Sequence, residues 1–275
     1  MAKLKTFQVC EIAKDTYAIN EAGMAAMFLV VGEKRALLID TGVGLTDLKS
    51  LIAQLTDLPY DVVLTHGHMD HVGGAAQFDQ VYIHPADGAA LSPIDYDAVA
   101  DYVEKMIRFG ATDVYDCSTQ DIKRLTKMPE VKYLRDGMIF NLGGRILKVI
   151  ETPGHTAGSC SLIDVRERIL FSGDACNVNL LCMWESIETL LSGLRAIKAH
   201  EHEFDRNFNG HIGYAGMPMM ISMPDSVLSD AIHICESILE GSAYIERGDA
   251  MGRPASVVTY GNVRICFDKD RLRNS

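Results

Sequence analysis

The chain has 275 residues, with 26 Lys and Arg against 37 Asp and Glu, a formal charge of −11. At 48% hydrophobic and 23% charged residues it has the composition of a globular protein with an ample core, which excludes disordered and fibrous classes. The acidic balance argues against nucleic-acid partners, which are held by Lys and Arg on phosphates, and against an anionic membrane surface.

Along the chain, short apolar or β-branched runs at 7–12, 16–19, 27–31 and 35–39 predict strands, with a hairpin turn at 32–34. Asp40, Thr41 and Gly42 follow, then a helix with Leu45, Leu48, Leu51 and Ile52 on one face. Runs 61–65 and 80–84 predict buried strands. The stretch 85–137 is charged, with helical patterns at 96–109 and 119–127, and reads as a helical insertion. Strands resume at 145–151, 160–165 and 169–172, followed by a helix at 184–200, a strand near 204–209 and a helix at 225–240. A hairpin around Gly261 and Asn262 closes the pattern. Strand blocks followed by helices predict sheets with helices outside, in one domain spanning 1–275. The seven cysteines are odd in number, widely spaced and without a CxxC pair, which predicts unbridged thiols and a cytoplasmic setting. The absence of an apolar leader or a long apolar run supports the same expectation.

The decisive segment is Thr65, His66, Gly67, His68, Met69, Asp70 and His71. It sets three imidazoles and one carboxylate directly after a strand. Imidazole nitrogen and carboxylate oxygen suit zinc and similar divalent metals. His66 and His68 alternate and can face one ion, while Asp70 and His71 begin a helix and can face a second. Gly73 and Gly74 then permit close backbone packing. His155, Asp174 and His211 each follow a glycine at the end of a strand, where the chain turns sharply.

The run His-x-His-x-Asp-His, followed in order by Gly-His, Gly-Asp and Gly-His, resembles the metallo-β-lactamase-fold hydrolase superfamily. Asp40, Thr41 and Gly42 fit its pattern too. The resemblance implies an α/β (α+β) four-layer αββα sandwich, here with the helical insertion at 85–137 as a cap. It implies that His66, His68 and His155 hold one metal, that Asp70, His71 and His211 hold a second, and that Asp174 bridges the two. Asp40 would orient a ligand histidine. Two divalent ions, zinc with iron or manganese as substitutes, would activate a bridging hydroxide against an ester, thioester or lactone carbonyl of a small molecule, with Asp70 orienting it. A phosphodiester substrate, a di-iron redox role and an inactive metal-binding protein are the alternatives.

The intact ligand set is similar to the glyoxalase-II-like and lactonase-like branches. Two features depart from them. The tail after His211, with Tyr214, Tyr244, Arg247, Arg253 and Lys269, is not the helical glutathione-holding region of glyoxalase II. No Tyr closely follows Asp174, as one tends to in lactonases; Asn177 and Tyr214 are the candidate substitutes. The Met217, Met219, Met220 and Met223 cluster reads as core or as a contact in a homodimer, with a substrate channel as the alternative. The stretch 180–184 reads as core or as a substrate wall. His200 and His202 read as a solvated helix end.

Overall fold

The computed structural model describes residues 7–91, 93–108, 115–212 and 221–274. The chain divides into two compact units, the first formed by Met1–Leu134, Ile139–Leu147 and Gly210–Ile221.

The first unit contains strands β1 (Gln8–Ala13), β2 (Thr16–Glu21), β3 (Ala25–Val31) and β4 (Ala36–Ile39), then helix α1 (Leu48–Leu55), β5 (Tyr60–Val63), helix α2 (Met69–Val72) and β6 (Gln80–Ile83). Helix α3 (Tyr96–Arg108), β7 (Glu130–Tyr133) and β8 (Ile139–Asn141) complete it. Strands β1 to β7 form one sheet in sequence order, antiparallel from β1 to β4 and parallel from β4 to β7. All four residues of β4 and six of seven in β3 are buried, as expected of strands covered on both faces. Leu38, Leu48, Ile52, Leu64, Val81, Val99, Val103 and Met106 join one apolar core.

Helix α1 starts later than its apolar pattern. Asp47 caps it by accepting from Ser50 N at 2.9 Å, so Leu45 lies outside the helix although it is buried. The expected helix at 119–127 is reduced to a 3₁₀ turn at Thr119–Asp121. Ser118 and Asp121 close a capping box there, but Lys123 N then bonds Gly44 O at 2.8 Å and draws the chain out of helical geometry. The insertion also ends in a strand, β7, whose four residues are too few and too exposed to read as one.

The second unit comprises Arg135–Met138, Lys148–Asn209 and Ser222–Ser275. Strand β9 (Ile146–Glu151) leads into it, followed by β10 (Cys160–Asp164), β11 (Ile169–Gly173), β12 (Asn179–Cys182), helix α4 (Ile187–Ala199), β13 (Arg206–Asn209), helix α5 (Val227–Glu240), β14 (Glu246–Ala250), β15 (Arg253–Tyr260) and β16 (Val263–Phe267). Within this unit β13, β11, β10 and β9 are neighbours in that order in one sheet, and a four-stranded sheet runs β12, β16, β15, β14. Helix α4 begins at Ile187 because Ser186 caps it, accepting from Thr189 N at 2.9 Å. Helix α5 ends at Gly241, whose φ of 74° suits a residue without Cβ. Of the stretch 180–184 read as core or substrate wall, residues 180–182 belong to strand β12, with Leu180 and Cys182 buried, whereas Trp184 beyond it is exposed. All seven cysteines are thiols outside any disulfide. No described helix is long and apolar enough to cross a membrane. Tyr214, Met217, Met219 and Met220 lie outside the described residues.

Candidate metal centre

In the first unit the site is assembled at the carboxyl ends of the parallel strands β4 and β5. Asp40 follows β4 with φ 63°, in the left-handed region that Asp tolerates better than most residues. This turn aims its carboxylate at the segment after β5. Oδ1 accepts from Thr65 N at 2.7 Å, and Oδ2 accepts from the Thr65 hydroxyl at 2.9 Å. Oδ2 also accepts from His71 Nδ1 at 2.8 Å. With its proton given to Asp40, the Thr65 hydroxyl accepts from His66 Nδ1, 3.0 Å away. The network therefore assigns the proton to Nδ1 in both His66 and His71, and leaves Nε2 of each as the electron-pair donor.

His71 is gripped a second time through its backbone. Its carbonyl accepts from Thr41 N at 2.9 Å and from Thr41 Oγ1 at 2.8 Å. Such close passage of two chain segments requires glycine: a Cβ on Gly73 would fall 2.1 Å from Val43 O, and one on Gly74 would fall 2.3 Å from Thr41 O. The loop after Gly42 hangs on Glu21. This buried carboxylate accepts from the backbone N–H groups of Val43, Gly44, Leu45 and Thr46 at 2.6, 3.0, 2.9 and 3.0 Å. Burial pushes the Glu21 carboxyl above its usual range, against the lowering effect of those bonds.

His211 comes to the same place from after β13. Ala26 N bonds Gly210 O at 2.8 Å, and Asn20 Nδ2 bonds Ile212 O at 3.0 Å, which fixes the segment to β2 and β3. His211 Nδ1 donates to Met24 O at 3.0 Å, so its Nε2 is again the electron-pair donor. That atom lies 3.7 Å from Asp70 Oδ2, and His71 Nε2 lies 3.8 Å from the same oxygen. The ligand atoms of Asp70, His71 and His211 all fall within 4.8 Å of one another. Two imidazole lone pairs and a carboxylate oxygen converge with no proton between them, and this donor set fits a divalent cation such as zinc, iron or manganese. The rings of His66 and His68 adjoin it, with centroids 4.1 Å from His71 to His66 and 4.8 Å from His66 to His68.

The second unit holds the other two expected ligands together. His155 Nδ1 donates to Leu181 O of β12 at 2.8 Å, and its Nε2 stands 3.4 Å from Asp174 Oδ2. Gly154 makes that loop possible, since a Cβ there would lie 2.5 Å from Leu190 Cα of α4. The Trp184 ring sits edge-on to His155 at 6.2 Å. His200 is apart from these residues, at the end of α4, with Nδ1 2.6 Å from Glu203 Oε1.

Sequence reasoning missed the roles of Thr65, Glu21 and Leu181 O. Thr65 stood inside the decisive motif, but its hydroxyl relay appears only once Asp40 is seen opposite it. Glu21 ends β2 directly after Asn20, and nothing local in TYAINE marks the carboxylate as buried. Nothing in the sequence marks the carbonyl of Leu181.

The sequence matches the description Metallo-beta-lactamase superfamily over residues 21–181. It is 34% identical over 176 residues to the acyl-coenzyme A thioesterase MBLAC2 of Bos taurus, covering 58% of this chain and 61% of that protein. It is 28% identical over 145 residues to the hydroxyacylglutathione hydrolase GloC of Haemophilus influenzae, covering 52% and 61% respectively. The match thus spans about three fifths of the length of these curated relatives. Among solved structures, a metallo-beta-lactamase family protein from Thermus thermophilus superposes with a TM-score of 0.54 at 20% identity, over 84% of this chain and 82% of that one. The mixed α/β fold, the ordered His and Asp motifs and the matched span agree, and the chain belongs to the metallo-β-lactamase superfamily.

Proposed function

We propose that the chain is a metal-dependent hydrolase acting on a small acyl compound, with a thioester as the first substrate class and esters and lactones next. The observation that carries this reading is the convergence of Asp70, His71 and His211 on one point, with each histidine held in the Nε2-donor tautomer. A bound divalent ion supplies a Lewis acid and lowers the pKa of water toward neutrality. Asp40 keeps the His71 ring oriented and, through Thr65, the His66 ring as well. Asp70 places a carboxylate oxygen among the imidazoles, where it can ligate and accept a proton from attacking water. The names of the two relatives, a thioesterase and a hydroxyacylglutathione hydrolase, support the acyl class. The charge of −11 supports a small molecule over nucleic acid, and unbridged thiols, five of the seven buried, support a cytoplasmic setting.

The test is metal analysis of purified protein together with a panel of acyl-coenzyme A, S-acyl-glutathione, p-nitrophenyl ester, lactone and phosphodiester substrates. We expect zinc or a close substitute, two ions per chain, and turnover of an acyl compound that falls at least about a hundredfold in Asp70→Ala, the scale of a lost proton acceptor. Turnover unaffected by Asp70→Ala, phosphodiester cleavage alone, or oxygen consumption without hydrolysis would overturn the reading.

A further inference from the structure

Helix α3 lies in the inserted region, away in sequence from every ligand motif. Val99, Tyr102, Val103 and Met106 recur on it at the spacing of one helical face. Val99, Val103 and Met106 are buried in the first unit's core, and Tyr102 packs against that core. The face is thus held by apolar burial on either side of the tyrosine, which limits where its hydroxyl can go. That hydroxyl donates to Asp70 Oδ2 at 2.9 Å. The accepting oxygen is the one that stands 3.8 Å from His71 Nε2 and 3.7 Å from His211 Nε2. The insertion touches the ligand segment once more, where Gly67 N donates to Asp87 Oδ2 at 2.8 Å.

We propose that Tyr102 is a positioning residue: its hydroxyl fixes the Asp70 carboxylate and so ties the inserted helix to retention of the metal that Asp70, His71 and His211 hold. The proposal rests on the metal-centre reading above. A carboxylate ligand has two oxygens and a free torsion. A donor on the oxygen facing both imidazoles selects one rotamer and removes that freedom before an ion arrives. A histidine ligand gets this service from its ring N–H partner, and Asp70 gets it from a tyrosine carried by another element.

The experiment compares wild type, Tyr102→Phe, Tyr96→Phe and His211→Ala. Tyr96 lies on the same helix, and its hydroxyl accepts from Leu125 N at 3.2 Å. Zinc affinity is measured by competition with a chromophoric chelator, cobalt binding by the visible spectrum, and thermal unfolding in metal-free and metal-loaded forms. Tyr102→Phe is expected to weaken the His211-dependent ion about 10- to 100-fold, the range for partners that orient ligands. It should alter the cobalt spectrum and leave the metal-free melting temperature near that of wild type. Tyr96→Phe should bind like wild type. Equal metal affinity in Tyr102→Phe and wild type overturns the proposal, and so does a melting-temperature fall of the same size with and without metal, which would mark a structural role only. A wild-type protein that binds no zinc or cobalt overturns the metal-centre reading as well.

Discussion

Asp40 Oδ2 accepts the Nδ1 proton of His71 at 2.8 Å, and the same oxygen accepts from the Thr65 hydroxyl at 2.9 Å. One carboxylate therefore sets the donor atom of His71 directly and that of His66 through Thr65. Asparagine at this position keeps the volume and tolerates the φ of 63°. It offers one carbonyl oxygen instead of two carboxylate oxygens, so an amide N–H would face either Thr65 N or both the Thr65 hydroxyl and His71 Nδ1. Asp40→Asn should reduce metal affinity or kcat/KM about 10- to 100-fold while the protein stays folded. Chelator competition and circular dichroism check both parts. Unchanged metal binding would show that His71 needs no carboxylate behind it.

Gly73 separates steric from conformational roles of glycine. Its Cβ position lies 2.1 Å from Val43 O, a backbone atom held by the Glu21 bonds around it. The neighbour cannot withdraw without moving the loop that also carries Thr41. Gly73→Ala should cost about 3 kcal/mol, the upper part of the usual overpacking range, and should loosen the grip on His71. Gly137 has φ 72° and nothing within 4 Å of its Cβ position, so Gly137→Ala carries only the left-handed penalty of about 1–2 kcal/mol. Urea denaturation of the two variants should rank them in that order.

The difference between these glycines also shows what the sequence could and could not carry. Alternation and apolar runs located β1 to β6: β2, β3 and β4 are largely buried stretches whose pattern reports their own burial, while β1, β5 and β6 are only partly buried and were marked by short apolar or β-branched runs. They missed β7 and β14, since Glu130–Tyr133 alternates over only four residues and Glu246–Ala250 is polar, and the two are seen as strands through pairing with β6 and β15. The candidate ligand residues were legible because imidazoles at His66, His68 and His71 are rare in such density. The residues that hold them were less so. Thr65, Glu21 and Tyr102 acquire their roles from partners 25, 22 to 25 and 32 positions away, and no local pattern encodes those meetings.

Glu203 gives a pH-dependent contribution in the second unit. Its Oε1 lies 2.6 Å from His200 Nδ1 and 3.0 Å from Lys148 Nζ, with the side chain 21% exposed. The His200 hydrogen bond, followed by Lys148, holds its carboxyl below the usual range. The folded state then binds this proton more weakly than the unfolded chain. The stabilisation is fully present above the ordinary Glu pKa of about 4.3 and is lost as pH falls through the lower folded value. Glu203→Gln removes the charge and keeps the shape. Its destabilisation should be at most about 1 kcal/mol at pH 7, given the partial exposure. In urea titrations the gap between variant and wild type should narrow steadily below about pH 4, where both side chains become neutral. A gap of constant size across that range would assign the effect to packing of the amide and remove the ion pair as its cause.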